Sequence, residues 1–242
     1  MKRWENELIF TKLIFVTTVI LSVLAGQASA ATITVKQLGG GNYTTISAAI
    51  SNAQQDDTIM VYPGRYEEAV VIDKNLQLIG AGPQLTTIYS PANGVEVQQG
   101  IKLTILGFTI TSAKVGIILK PNSTGFIRNN IVSGNVGYGI QLNCNGATAT
   151  IVNNVISYNS SDGIYSTGNW NCGGNVVSIY SNIVSNNGGY GLVMPYTTAY
   201  ISYNNVYSNV SGNYINCSAG AGDISLNPAF INYATGNYAL QR

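Results

Sequence analysis

The residue types that do chemistry are scarce in this chain, and histidine is absent altogether. Without histidine, Ser-His-Asp and Cys-His catalysis are excluded, and soft-metal sites lose their commonest ligand. Carboxylates are also thin: from Ile101 to the C-terminus only Asp162 and Asp223 carry one. A glycosidase needs two carboxyls flanking the scissile bond. A lyase acting on a uronic-acid polymer needs several carboxylates to hold Ca²⁺ and an Arg or Lys to remove a proton. Neither set can be assembled from Asp162 and Asp223, and Arg128, the cation that could serve as base, reads as a solvated surface residue. The acidic group Asp56, Asp57, Glu67, Glu68 and Asp73 has enough carboxylates for a cation, but Asp is so common in turns that a turn and cap role is expected.

What remains is aromatic. There are 16 Tyr, and their placement follows an internal repeat. The segments starting at Ile127, Ile151, Ile179 and Ile201 superpose, with Asn at the fourth position (Asn130, Asn154, Asn182, Asn204) and again at the ninth (Asn135, Asn159, Asn187, Asn209). Gly139, Gly163 and Gly191 follow, then Asn213, each ahead of a large side chain, and a weaker copy starts at Ile105. Self-similarity at a period of roughly 20 to 50 residues signals a solenoid, and β-prone residues between turn residues make it a β-solenoid. Like residues then stack in columns along its axis. Ile127, Ile151, Ile179 and Ile201 are expected to fill the interior, and the Asn columns to pass amide hydrogen bonds from coil to coil at left-handed turns. The Gly column is expected to permit a corner that a Cβ would obstruct.

Function is therefore expected where the columns break. Tyr138, Asp162 and Tyr190 share a column, Tyr165 turns outward by strand alternation, and Trp170 opens an insertion up to Gly174 that lengthens one repeat. Exposed rings can stack on sugar C–H faces while Asp or Asn accepts hydroxyl hydrogens. Tyr138, Asp162, Tyr165, Trp170, Tyr190 and Arg128 are the candidate binding residues.

Residues 1–30 read as a secretory signal peptide: Lys2, Arg3 and Lys12 precede an apolar run, and Ala28-Ser29-Ala30 gives a small-residue cleavage site. The run is shorter than a spanning helix needs, about 20 residues. Removing its three bases and two acids leaves a mature chain without net charge, which attracts neither nucleic acid nor anionic membrane. Of the 3 Cys, Cys144 and Cys172 fall in turns of adjacent repeats, where a strand spacing of about 4.8 Å suits a disulfide; Cys217 is expected to stay free.

The mature region, 31–242, reads as one domain. A strand at Ala31–Lys36 precedes an amphipathic helix near Thr44–Ile50, with Ile46, Ala49, Ile50 and Ala53 on one face. The segment 31–57 is expected to cap the open end of the first coil, and coils fill 58–242. Tyr43-Thr-Thr-Ile-Ser-Ala-Ala-Ile50, Asp57-Thr-Ile-Met-Val-Tyr-Pro-Gly-Arg-Tyr-Glu67 and Val71-Ile-Asp-Lys-Asn-Leu-Gln-Leu-Ile-Gly80 resemble the opening of right-handed parallel β-helix proteins. Pectin methylesterases and periplasmic β-helix repeat proteins share that opening. The later Ile-x-Asn-Asn and Gly-Ile units are similar to the pectate-lyase-type repeat. The resemblance covers nearly all of the mature chain and implies an all-β, right-handed parallel β-helix. No catalytic motif of those families is matched. The tail from Ile224 resembles the closing segment of such proteins, read either as a truncated one or as a modest C-terminal cap.

The first functional expectation is a secreted or periplasmic monomer, non-catalytic and without cofactor, that binds polysaccharide or a surface partner. The alternatives are a pectate-lyase-like or other carbohydrate-active enzyme, with Ca²⁺ as cofactor if a lyase, and a passive structural or adhesive surface protein.

Overall fold

The computed structural model describes residues 29–168, 171 and 173–241. Most of the expected signal peptide, Trp170 and Cys172 lie outside the described residues, and with Cys172 lies the proposed bridge to Cys144. No described helix is long and apolar enough to cross a membrane.

From Thr32 the chain winds into a parallel β-solenoid with three walls. The first sheet has eight strands: Thr32–Val35, Thr58–Val61, Leu76–Gly80, Lys102–Leu106, Thr124–Arg128, Thr148–Val152, Asn175–Tyr180 and Thr197–Ser202. The second runs in seven strands from Val70–Ile72 to Gly212–Ile215, and the third in seven from Gly64–Glu67 to Asn205–Tyr207. Each coil visits the first, third and second sheets in that order, and every pairing between coils is parallel. The β-solenoid expected from the repeat, and the right-handed parallel β-helix that the resemblance implies, is the observed fold. Its first sheet begins earlier than anticipated, because Thr32–Val35 pairs with Thr58–Val61 inside the segment expected only to cap.

The register is set by burial. Ile105, Ile127, Ile151, Ile179 and Ile201 stack in line, and all but the last are fully buried. A strand slipped by one residue would turn this whole set to solvent.

The Asn columns form two buried amide ladders. In the first, the N–H and Nδ2 of Asn130 both donate to Asn154 Oδ1 (3.0 and 3.2 Å), and the pattern repeats through Asn182 and Asn204. Phe108 N–H donates into the start of the ladder (3.1 Å), and Asp223 Oδ1 closes it by accepting from Asn204 N–H (2.7 Å). The left-handed turn conformation was expected at these Asn residues. It falls instead on the residue before each: Asn129, Asn153, Ser181 and Tyr203, with φ of 53, 54, 57 and 56°. The ladder residue keeps ordinary backbone angles and turns its amide inward.

The Gly column is a matter of close approach. A Cβ on Gly139 would lie 2.6 Å from Gly163 O and 2.7 Å from Ile156 Cγ2, and Gly94, Gly116, Gly163 and Gly191 are equally confined. Asn213 holds the equivalent place in the last coil, where it accepts from Asn209 Nδ2 (3.1 Å) and closes the second ladder.

At the N-terminal end, helix α1 (Ile46–Asn52) buries Ile46, Ala49 and Ile50 against the first coil. Thr45 caps it through Ala48 N–H. Glu68 accepts from the N–H groups of Ile46 and Ser47 (both 2.8 Å), and Lys74 Nζ donates to the carbonyls of Ile50 and Ala53. The dipole favours this charge order, and Glu68 thereby takes the cap role. At the other end, Phe230–Asn232 and Asn237–Leu240 pair as an antiparallel ribbon. Phe230 and Tyr238 cover Ile131 on the outer face of the third sheet, so this segment straps the side of the solenoid.

Candidate functional site

Two surfaces concentrate side chains that could hold a ligand. The first is the predicted one, at the turn into the second sheet. Tyr138 and Tyr165 come together from adjacent coils, their rings stacked at 4.7 Å and 9°. Tyr165 faces outward between Gln141 and Val193, as alternation requires. Asp162 and Tyr190 meet through the backbone: Asp162 Oδ1 accepts from Tyr190 N–H at 2.6 Å. Asp162 also packs against Gly189, where a Cβ would lie 2.1 Å from Oδ1. Its carboxyl is pushed above the ordinary range by burial, partly offset by the Tyr190 N–H. Burial, then Tyr165 and Asp162, raise the Tyr138 phenol. This cluster is largely occupied with itself: a ring stacked on another ring keeps one face for a ligand, and the Asp162 oxygen serves the next coil.

Arg128 is not part of it. It stands on the outer face of the first sheet, its guanidinium 5.6 Å from the Phe126 ring, with Leu106 and Val152 as neighbours in its column. Among the described residues no carboxylate pairs with it there.

That outer face of the first sheet is the second surface. In successive coils one column reads Gln77, Thr104, Phe126, Thr150, Ser178 and Tyr200, and the next reads Ile79, Leu106, Arg128, Val152, Tyr180 and Ser202. Phe126 and Tyr180 are each 36% exposed and Tyr200 63%. Tyr196 and Tyr203 flank the last strand and are also exposed. Toward the N-terminal end, Asp56, Asn75, Gln77, Lys102, Thr104 and Phe126 line an open depression of about 410 Å³, within the size range of ligand sites. Among the described residues no three His, Cys, Asp or Glu side chains converge as a metal site.

Residues 35–207 match the family described as "Right handed beta helix region". The chain belongs to that β-helix family. No curated protein matches it in sequence. Among solved structures, an alginate lyase from Paenibacillus sp. str. FPU-7 is similar at 14% identity and a TM-score of 0.48, over 81% of this chain and 91% of its own. Pectin methylesterases from carrot and from Erwinia chrysanthemi both reach 0.39, at 13% and 11% identity; each alignment covers 90% of this β-helix, and 100% and 99% of theirs.

The first-sheet surface of this β-helix lies outside the candidate residues that the breaks in the Asn and Gly columns single out, Arg128 excepted. The signal was present one residue before each repeat Ile: Phe126, Thr150, Ser178 and Tyr200 alternate with buried positions and so must point out.

Proposed function

We propose that this β-helix is an exported, non-catalytic protein that binds an extended polysaccharide along the outer face of its first sheet. The observation that carries the reading is the outward column Gln77, Thr104, Phe126, Thr150, Ser178 and Tyr200, in which hydroxyl and amide side chains are punctuated by exposed rings, with exposed Tyr180 in the more apolar column beside it. Phe126 and Tyr200 lie three coils apart, about 14 Å at a strand spacing of about 4.8 Å, so a ligand spanning both must be a chain. Rings supply apolar area at low entropic cost, and the intervening Thr, Ser and Gln supply hydroxyl partners. A binding role is favoured over cleavage because Arg128 has Leu106 and Val152 beside it in its column, and Asp56 is the one carboxylate lining the depression. The reading calls for no cofactor.

Affinity electrophoresis against neutral and acidic polysaccharides tests it. At least one polymer is expected to retard the protein, with Phe126→Ala and Tyr200→Ala each weakening binding about tenfold, or about 1.4 kcal/mol. Retardation by none of them, or retardation untouched by both substitutions, sinks the reading. Release of unsaturated sugar, seen by its ultraviolet absorbance, would favour the lyase alternative.

A further inference from the structure

A second cavity, remote from the first sheet, lies where the C-terminal strap crosses the third sheet. Its volume is about 380 Å³. One wall comes from the coils, through Tyr158, Asn186, Tyr207 and Ser208; the other comes from the strap, through Asn227, Ala229, Phe230, Tyr233 and Gln241. Tyr158 stacks on Tyr233 at 4.2 Å and 13°, which fixes the strap to the coils at this point. Burial, then Tyr233, push the Tyr158 phenol up to about 12, so this ring stays neutral through the physiological range.

Two features of this lining point to a ligand class. Among the described residues no carboxylate, amine or guanidinium contributes to it, so the described lining offers a counter-charge to neither an anion nor a cation. The polar groups present are amides, hydroxyls and phenols, which donate and accept together. The side chains of Asn186, Tyr207 and Ser208 make no hydrogen bond to protein among the described residues, whereas Asn227 Oδ1 is used by Ala229 N–H. Groups that both donate and accept, set beside aromatic carbon, match a ligand with the same mixture of hydroxyls and C–H faces.

We propose that this cleft is a second binding site, for a neutral sugar unit, completed by the strap. It does not depend on the first-sheet reading, because the two surfaces share no residue. The strap supplies half of the site and holds it in register through Tyr233.

The test is ¹H–¹⁵N NMR titration of the full chain with cellohexaose, xylohexaose, maltohexaose and trigalacturonate. At least one neutral oligosaccharide is expected to shift the amides of Tyr207, Ser208 and Asn227, and trigalacturonate none of them. Asn186→Gly with Ser208→Gly, which remove both side chains while suiting the left-handed backbone of these positions (φ 56 and 53°), should weaken that binding at least tenfold. Tyr200→Ala, which probes the first-sheet face, should leave it unchanged. The proposal is overturned if no neutral sugar shifts these amides, if trigalacturonate shifts them as strongly, or if the double substitution has no effect. Loss through Tyr200→Ala would overturn it too, by making the two surfaces one site.

Discussion

Replacing Asn154 with Ala removes the middle rung of the first amide ladder, and the structure sets the scale of the damage. Asn154 Oδ1 accepts from Asn130 N–H (3.0 Å) and Asn130 Nδ2 (3.2 Å); its own Nδ2 donates to Ile127 O, Val152 O and Asn182 Oδ1 at 2.9, 3.0 and 3.1 Å. Asn130 Nδ2 keeps partners in the carbonyls of Ile105 and Arg128, and Asn182 Oδ1 keeps the N–H of residue 154. Asn130 N–H, in a residue 1% exposed, keeps none. An orphaned buried donor costs about 1–3 kcal/mol, and a net bond lost where partners remain about 1 kcal/mol or less. The total comes to about 3–4 kcal/mol, a large part of the stability typical of a domain. Urea unfolding followed by far-ultraviolet circular dichroism measures it, with Thr150→Ala on the outer face as control, expected within about 0.5 kcal/mol of wild type. Asn154→Asp adds a pH signature. The carboxylate can still accept from Asn130, but it faces Ile127 O, Val152 O and Asn182 Oδ1, so folding raises its pKa. Its penalty should be full above the folded pKa and fade as the pH falls toward the unfolded value, about 3.9. A cost for Asn154→Ala below about 1 kcal/mol, no greater than that of Thr150→Ala, would refute the ladder as a stabilising element.

Three further outcomes follow from the same geometry. Gly139→Ala forces a Cβ to within 2.6 Å of Gly163 O, so a loss of at least about 3 kcal/mol is expected by the same unfolding assay. Asp162→Asn should raise the thermal midpoint at neutral pH. The folded Asp162 pKa is raised by burial, so its charged form opposes folding once the pH exceeds the unfolded value, and the gain should vanish near pH 3, below the ordinary Asp range of about 3.9. Cys217, whose thiol is pushed up to about 11 mainly by burial and donates to Leu192 O at 3.8 Å, should resist iodoacetamide in the folded protein. It should be alkylated rapidly once urea unfolds the chain, as read by peptide mass spectrometry.

How much of this protein was legible beforehand differs between its parts. The interior Ile column, the Asn columns, the Gly corner and helix α1 were all readable, because parallel coils place equal repeat positions on top of one another. A residue type that recurs at one position therefore meets itself in space. The outward direction of Tyr165 followed from alternation for the same reason. The Tyr138–Tyr165 stack joins different positions of two coils, one in a turn and one in a strand, and the period does not predict such a diagonal contact. In the sequence Arg128 joins the tyrosines as a candidate binding residue, but the three-walled section puts it on another face.

Sequence alone thus determined the fold, its register and the residues that stack, since each is a property of one repeat multiplied along an axis. Tertiary structure decided which wall a given side chain occupies, which of two neighbours carries the left-handed turn, and where the C-terminal segment lies. Phe230 and Tyr238 cross back over Ile131, about 100 residues earlier in the chain, through apolar burial that no repeat position encodes. The cleft beneath that strap exists only because two distant stretches of chain meet there.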